Sequence, residues 1–189
     1  GNLVNRSISM AFKNCGEIPA AGELTDADRE LLDASAGGFD TVGDLLARAK
    51  FKAAITEAMR IVGLANAYIS AQEPWKLKDN PERRNTVLHV ALQVVSDVNT
   101  MLTPFMPHSA QKIYEALGGE GVWAAQPELV ETDGAAPILM GDYASEKASW
   151  GRREIAVGTL LVKPSPIFRK LDAKLAETGP EWAPVNPQS

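Results

Sequence analysis

The sequence predicts an all-α fold, a five-helix bundle followed by a C-terminal extension. Apolar residues recur every three or four positions over much of residues 1–117, which is the spacing of one helix face. Capping and helix-ending residues separate these periodic stretches. From Gly118 onward glycine and proline become frequent and the helical period is lost. We therefore expect a bundle over residues 1–117 and an extension over residues 118–189.

The first helix is predicted to be amphipathic. Val4, Ile8 and Ala11 form its apolar stripe. Four polar side chains, spaced four, three and four residues apart, share another face: Asn2, Arg6, Ser9 and Lys13. The chain begins with Gly1 directly at this helix rather than with Met. We therefore expect it to be a piece of a longer protein.

The second helix is predicted from its capping motif. Thr25 is a favourable N-cap, and Asp28 three positions later completes a capping-box pattern. The Gly37-Gly38 pair predicts a break or a loosened turn, because glycine is a poor helix former. The helix is expected to resume through residues 40–50.

Longer periodic runs predict the remaining three helices. The third ends before Pro74, and its apolar residues recur at helical spacing: Phe51, Ile55, Met59, Val62 and Ile69. The fourth begins at Asn80, a good cap, with Pro81 at the first helical position. The fifth covers residues 108–117 and ends at a glycine pair.

The extension is expected to contain a short strand segment and a short helix. Residues 154–164, EIAVGTLLVKP, suit one or two strands with a turn at Gly158. Residues 166–175, PIFRKLDAKL, suit a short terminal helix. The whole extension, residues 118–189, is expected to pack back on the bundle or on a further domain.

Composition excludes several classes of function. The net charge of −5 argues against binding nucleic acid through global charge, although a local basic patch remains possible. One cysteine (Cys15) and two histidines (His89 and His108) make a disulfide impossible within the chain and a zinc site unfavourable. No phosphate-binding glycine loop or nucleophile–base pair occurs. With no long apolar run, we expect a cytoplasmic protein that does not enter a membrane.

Trp75 is the most informative single residue. It lies at the exit of the third helix in ISAQEPWKLKDNPERR, residues 69–84. Four basic residues follow within nine positions: Lys76, Lys78, Arg83 and Arg84. An aromatic side chain beside positive charge suits a ligand that is flat and negative, such as single-stranded nucleic acid. The alternative is that Trp75 plugs the end of the bundle.

Four stretches of the sequence resemble the anticodon-binding helical domain of methionyl-tRNA synthetases. They are NLVNRSISMAFKN at 2–14, GLANAYISAQEPWKLKD at 63–79, LTPFMPHSAQKIYEALG at 102–118 and ASWGRREIAVGTLLVKPSPIFRKLD at 148–172. The resemblance implies the five-helix anticodon-binding bundle of class I aminoacyl-tRNA synthetases, in a bacterial-type enzyme. The most specific stretch is ANAYISAQEPWKL, since related synthetases share only a looser version of it.

The resemblance implies a binding role for this fragment within a larger enzyme. The full enzyme ligates methionine to tRNA using ATP, but its two nucleotide-binding signatures do not occur here. We therefore expect a non-catalytic fragment without a cofactor, with ATP and methionine bound by a catalytic domain outside this chain. The expected partners are tRNA with a CAU anticodon and that catalytic domain. The parent is expected to be a monomer.

The resemblance also assigns candidate site residues. Trp75 is expected to stack on the first anticodon base. The first helix is expected to supply the base-reading side chains, in order of preference Lys13, Asn5 and Ser9, then Asn2 and Arg6. The residues expected to bind phosphates are Lys76, Lys78, Arg83 and Arg84. A second cationic cluster is formed by Arg48, Lys50 and Lys52.

Alternatives remain at this point. The bundle could belong to another class I synthetase, such as the valyl or leucyl enzyme, or it could be a helical module that binds protein partners through Trp75. The polar face of the first helix could simply be solvated. Asn66 and Tyr68 are expected to make structural hydrogen bonds, and Cys15 to be a small packed residue.

Overall fold

The computed structural model describes residues 1–126, 128–132, 135–140, 149–163, 165, 167 and 168. Five α-helices account for most of this part of the chain: α1 Asn2–Asn14, α2 Asp26–Ala47, α3 Phe51–Gln72, α4 Pro81–Leu102 and α5 Pro107–Ala116. A short 3-10 turn, Pro74–Lys76, joins α3 to α4. The all-α bundle predicted from the sequence is confirmed.

Helix α4 lies at the centre of the bundle. It packs against α1, α2, α3 and α5, and its side chains are buried around most of the helix circumference, including Val87, Leu88, Ala91, Leu92 and Val94. Full burial of one such valine or leucine side chain contributes about 1.5–3 kcal/mol. The local signals at its start are those predicted, since the Asn80 side chain accepts a hydrogen bond from the Arg83 backbone and Pro81 is the first helical residue.

The Gly37-Gly38 pair does not interrupt α2, so that prediction was wrong. The helix continues through both residues to Ala47. A Cβ added at Gly38 would lie 2.4 Å from Ile61 Cδ1 and 2.9 Å from Met101 Cε. Gly38 therefore lies where the ends of the Ile61 and Met101 side chains pack closely on α2, and this packing offsets the low helix propensity of glycine.

The apolar stripe that predicts α3 is largely not the face that the helix buries. Phe51, Ile55 and Met59 are 56%, 39% and 51% exposed, although Ile69 is buried. Half of the buried face consists of alanines, and the residues buried there are Ala54, Ala58, Ile61, Ala65, Tyr68 and Ile69. Alanine allows the neighbouring helix backbones to approach closely. A prediction based on the spacing of large apolar residues therefore misses a buried face that contains several alanines.

The strands of the extension lie elsewhere than in residues 154–164. An antiparallel pair forms from β1 Glu128–Thr132 and β2 Ala135–Met140, with Glu128 opposite Met140. Within 154–163 the structure has an isolated bridge from Leu160 to Glu17 and the expected turn at Gly158. Backbone groups there bond to the bundle, as Leu161 N–H does to Gly16 O. The helix predicted for 166–175 lies almost wholly outside the described residues.

A buried ion pair attaches the segment of residues 149–163 to the bundle. The Arg152 guanidinium contacts the fully buried carboxylate of Asp97 on α4, with Nη2 2.6 Å from Oδ2. The same nitrogen donates to Leu32 O on α2 at 2.7 Å. The Ser35 hydroxyl and the Gln93 amide also donate to Asp97. Side chains from α2 and α4 thus converge on one arginine of the extension.

Trp150 adds a second contact between the same segment and α2. Its indole Nε1 donates to Phe39 O at 3.1 Å, and the two rings meet edge to face with centroids 5.8 Å apart. Gly43 provides the space, because a Cβ there would lie 2.9 Å from the indole nitrogen. Residues 149–163 therefore pack on the bundle through specific polar and aromatic contacts.

Candidate nucleic-acid interface

Trp75 projects from the short turn between α3 and α4. Helix α3 ends at Gln72, and Glu73 takes a left-handed conformation with φ 44°. Pro74, which is buried, begins the 3-10 turn, and its ring prevents α3 from continuing. Hydrogen bonds from Lys76 N–H to Glu73 O and from Leu77 N–H to Pro74 O close the turn. The Trp75 side chain is 44% exposed, so one part of the indole is held and another faces solvent.

Arg6 of α1 lies against Trp75. Its guanidinium carbon is 5.5 Å from the centroid of the indole ring, which is a cation–π contact. Asn2 lies one helical turn before Arg6 on the same face of α1 and is exposed. The structure therefore brings the start of α1 and the α3–α4 turn into one surface, which we call the Trp75 surface: Trp75, Arg6 and Asn2.

The other candidate base-reading residues on α1 are Asn5, Ser9 and Lys13. Asn5 lines a cavity of about 230 Å³ together with Lys112 and Lys163, and its amide oxygen accepts a hydrogen bond from the Ser9 hydroxyl at 3.4 Å. Lys13 is exposed in the last turn of α1, seven residues or about 10 Å beyond Arg6. Arg6, which the sequence placed after Lys13, Asn5 and Ser9, is thus the candidate that the structure places against Trp75.

Three of the four predicted phosphate-binding cations lie at the surface or near it. Lys76 is exposed and forms an ion pair with Glu73 at 2.8 Å, and Lys78 is exposed two residues later. Arg84 is half-buried, and its Nη2 is 3.5 Å from Asn85 Oδ1. Its Nε is buried and has no hydrogen-bond partner among the residues that the structure describes. Because this Nε is buried, a phosphate outside the protein does not reach it, and the unused donor does not add to a binding site.

Arg83 is not placed as the sequence predicted, because its guanidinium points into the protein. Its Nη1 and Nη2 lie 2.5 and 2.8 Å from the two carboxylate oxygens of Asp28, and Nη2 also donates to Gln72 Oε1 at 2.7 Å. The Arg83 side chain is 18% exposed and that of Asp28 is fully buried. The fork of donors that would bind a phosphate is therefore occupied by an internal carboxylate.

The electrostatics of this buried cluster are consistent with a fixed ion pair. Burial alone would raise the pKa of Asp28, but hydrogen bonds from Arg83, Tyr68 and Thr25 hold that pKa well below its usual value. Burial, with the hydrogen bond to Asp28, raises the pKa of Tyr68. The hydrogen bond to Asp28 raises the pKa of Arg83. At neutral pH the cluster therefore contains a carboxylate, a guanidinium and a neutral phenol.

The second cationic cluster lies at the opposite end of α3. Arg48 pairs with Asp44 at 3.1 Å, and Lys50 and Lys52 line an open cavity of about 730 Å³ beside Phe51. Because α3 has 22 residues, this cluster is about 33 Å along the helix from the Trp75 surface. The structure therefore does not combine the two cationic regions into one site.

Several smaller predictions can also be compared with the structure. Tyr68 and Asn66 make the expected internal hydrogen bonds, Tyr68 to Asp28 and Asn66 to Val62 O. Cys15 is half-buried near Asn85. Across the described ranges, no three His, Cys, Asp or Glu side chains are grouped so that they could hold a metal ion. In the same residues, no helix has the length and apolarity needed to cross a membrane.

Two features of this region were not predicted from the sequence. The pairing of Arg6 with Trp75 joins residues 69 positions apart, and the pairing of Asp28 with Arg83 joins residues 55 positions apart. A capping-box aspartate is usually near solvent, so its pattern carries no sign of a buried partner. The resemblance did place both α1 and the Trp75 motif in the binding region, which was the available signal for the first pair.

Comparison with known proteins gives a consistent result. Residues 18–133 match the model of the anticodon binding domain of methionyl tRNA ligase. The chain is 90% identical over 188 residues to a methionine–tRNA ligase of Cutibacterium acnes, covering 100% of this chain and 31% of that protein. It is 61% identical to the Saccharopolyspora erythraea enzyme, covering 98% of this chain and 32% of the enzyme. The chain thus spans about a third of the length of these curated relatives.

A solved structure shows the same architecture. The free-state methionyl-tRNA synthetase of Mycobacterium tuberculosis is similar with a TM-score of 0.74 and 29% sequence identity. The similarity covers 91% of this chain and 32% of that one. The bundle and the packing of its helices are therefore shared with a region of a larger enzyme.

Proposed function

The chain belongs to the family of anticodon-binding domains of methionyl-tRNA ligases, and from this premise we propose that it recognises the CAU anticodon of tRNA through the Trp75 surface. The observation that carries the proposal is the half-exposed indole of Trp75 with the Arg6 guanidinium against its ring. A flat aromatic face beside a cation is the arrangement that single-stranded nucleic acid requires.

Stacking and base reading are divided between different side chains. An unpaired anticodon base stacks on Trp75, which contributes about 1–3 kcal/mol and tolerates any base. Discrimination then depends on hydrogen bonds to the base edge. Arg6, which contacts Trp75, supplies donors. The Asn2 amide, one helical turn before Arg6 on the same face of α1, supplies both a donor and an acceptor. We therefore place Arg6 and Asn2 before Ser9, Asn5 and Lys13 as base-reading residues.

Neighbouring cations hold the RNA backbone. Lys76 and Lys78 follow Trp75 within three residues, Lys13 lies along α1, and Arg84 is half-buried in the first turn of α4. Such contacts orient the loop without selecting its sequence. They also make the affinity fall with salt, by about 0.7 in log–log slope for each phosphate of a single strand. Arg83 is left out of this set because Asp28 occupies its guanidinium.

The remainder of the activity is assigned to a longer protein. We propose that this chain forms about a third of a bacterial-type methionine–tRNA ligase, in which a separate catalytic domain binds ATP and methionine. Recognition here would then position the acceptor end of the tRNA at that distant catalytic site. A cytoplasmic, monomeric parent is part of the same proposal. Magnesium would accompany the RNA rather than bind this domain.

Replacement of Trp75 tests the proposal. Trp75→Ala should weaken binding of a CAU anticodon stem-loop by about 5- to 150-fold, because the stacking platform is removed. Trp75→Phe should retain most of the affinity. In the full-length ligase, Trp75→Ala should lower charging of tRNA but leave methionine activation without tRNA unchanged. Unchanged RNA affinity in a folded Trp75→Ala variant would refute the stacking role.

Two controls separate the proposal from its alternatives. Trp150 is 45% exposed, nearly the same as Trp75, but it packs on α2. Trp150→Ala should therefore leave RNA affinity unchanged in the folded protein. A stem-loop with another anticodon should bind more weakly than CAU. Preference for an anticodon other than CAU would contradict the proposed recognition, and weak binding indifferent to sequence would favour a protein-interaction module.

A further inference from the structure

One residue ties both ends of the loop that carries Trp75. The loop runs from Glu73 to Asn80, between α3 and α4. At its start, the Arg83 side chain donates to Gln72 Oε1 at 2.7 Å. At its end, the Arg83 backbone N–H donates to Asn80 Oδ1 at 3.1 Å. The position of Arg83 therefore determines the relative position of the two ends of the loop.

Arg83 is itself held by a fully buried carboxylate. Asp28 accepts hydrogen bonds from both terminal nitrogens of Arg83 and from the Tyr68 hydroxyl, and it also accepts from the Thr25 backbone at 2.8 Å. These contacts bring together the start of α2, the last two turns of α3 and the first turn of α4. Side chains around the base of the Trp75 loop thus converge on Asp28.

Stability alone does not explain an ion pair at this position. A buried ion pair loses its hydration, and an apolar pair of similar volume often stabilises a fold as well or better. A bidentate contact between an arginine and a carboxylate does, however, restrict distance and orientation more strictly than apolar packing. The geometry that is restricted here is the exit of α3 and the entry of α4, on either side of Trp75.

We propose that Asp28 and Arg83, together with Gln72, are positioning residues for RNA binding: they hold the 73–80 loop so that Trp75 lies beside Arg6 before the RNA arrives. The inference rests on the proposed function, because it concerns the presentation of Trp75 to an anticodon base. A loop ordered in advance loses less conformational entropy on binding. Loosening the loop should therefore weaken RNA binding although no RNA-contacting group has been removed.

Two substitutions loosen the loop in different ways. Asp28→Asn keeps the shape of the side chain but removes the charge that holds Arg83. Gln72→Met breaks only the contact from Arg83 to the end of α3 and leaves the ion pair intact, so it remains informative if Asp28→Asn fails to fold. The matched control is Asp97→Asn, since Asp97 is also fully buried and paired with an arginine. Asp97 lies 14 residues after Arg83, about 21 Å along α4.

The measurement is the affinity for a CAU anticodon stem-loop, well below the unfolding midpoint of each variant. Asp28→Asn and Gln72→Met should each weaken binding about three- to tenfold. Asp97→Asn should lower the unfolding midpoint but bind RNA like the parent. In a Trp75→Ala background, Asp28→Asn should have no further effect on affinity, because the group that it positions is gone.

The possible results separate the inference from the proposed function. If Trp75→Ala weakens binding while Asp28→Asn and Gln72→Met do not, the positioning role is wrong and the proposed function stands. The positioning role would also be overturned if Asp28→Asn and Asp97→Asn lost RNA affinity equally. It would be overturned as well if the fold losses of RNA affinity from Asp28→Asn and Trp75→Ala simply multiplied in the double variant. If Trp75→Ala itself has no effect, the proposed function and the inference fall together.

Discussion

The two buried ion pairs of the bundle are similar in construction but join different parts of the chain. In each, a fully buried aspartate contacts an arginine whose side chain is about one-fifth exposed, 18% for Arg83 and 22% for Arg152. Asp28–Arg83 joins three helices at the base of the Trp75 loop. Asp97–Arg152 joins the segment of residues 149–163 to α2 and α4.

The difference shows how one interaction can serve two purposes. Both carboxylates accept several hydrogen bonds, Asp28 from Tyr68 and Thr25 as well as Arg83, and Asp97 from Ser35 and Gln93 as well as Arg152. Both pairs are thus complete, and removing a partner should leave an uncompensated charge in either case. Breaking either pair should therefore lower the free energy of unfolding by a similar amount, whereas only breaking Asp28–Arg83 should weaken RNA binding.

The largest expected effect is on stability and should be common to both pairs. Arg83→Met and Arg152→Met should each lower the free energy of unfolding by about 3–5 kcal/mol, because each leaves a buried carboxylate without its cation. Urea denaturation of the two variants and the parent would measure this. A loss below about 1 kcal/mol in either variant would mean that water reaches that carboxylate and that the pairs are not comparable.

A smaller effect is expected when only a neutral donor to each carboxylate is removed. Tyr68→Phe removes the hydroxyl that donates to Asp28, and Ser35→Ala removes the one that donates to Asp97. Each should lower the free energy of unfolding by about 1.5–3 kcal/mol, the range for a hydrogen bond to a charged group. The arginine remains in both variants, so both should lose less than the corresponding Arg→Met variant in the same urea experiment. A larger loss in the Tyr68→Phe or Ser35→Ala variant than in the corresponding Arg→Met variant would show that the hydroxyl stabilises the buried carboxylate more than the arginine does.

The smallest expected effect is a pH dependence of stability, which appears only in acid and comes from the titration of Asp28. Because the folded-state pKa of Asp28 lies below that of an unfolded aspartate, about 3.9, its contribution is complete above that value. The contribution should shrink as the pH falls below it and disappear below the folded-state pKa. Unfolding midpoints of the parent and of Asp28→Asn should therefore converge as the pH is lowered from about 4 to about 2. A constant gap between them would contradict the lowered pKa.

Local signals in the sequence predicted most helix ends correctly. Thr25 with Asp28, Pro74, and Asn80 with Pro81 mark boundaries where the structure has them. Caps and helix-ending prolines act through contacts within about four residues, so their meaning is contained in the local sequence. Trp75 was identified for the same reason, since a conspicuous side chain at a helix end and its motif are contiguous in the chain.

Other features depend on contacts between residues far apart in the chain. The periodicity of α3 predicted a helix but not its alanine-rich inner face. The Gly37-Gly38 pair suggested a break in α2, since the packing of Ile61 on Gly38 is a contact between residues far apart in the sequence. The strands at 128–132 and 135–140 lie outside the segment whose composition favoured them. Large apolar residues and glycine have several roles, and packing selects among them.

The sequence by itself determined the helical bundle, most of its boundaries, the family and Trp75 as the central candidate. Tertiary structure alone decided which face of α3 is buried, that Arg6 rather than Lys13 lies against Trp75, and that Arg83 points inward to Asp28. The physical reason is that helix formation and capping are short-range, whereas the partner of a long cationic side chain depends on which distant carboxylate or ring the packed helices bring within its reach.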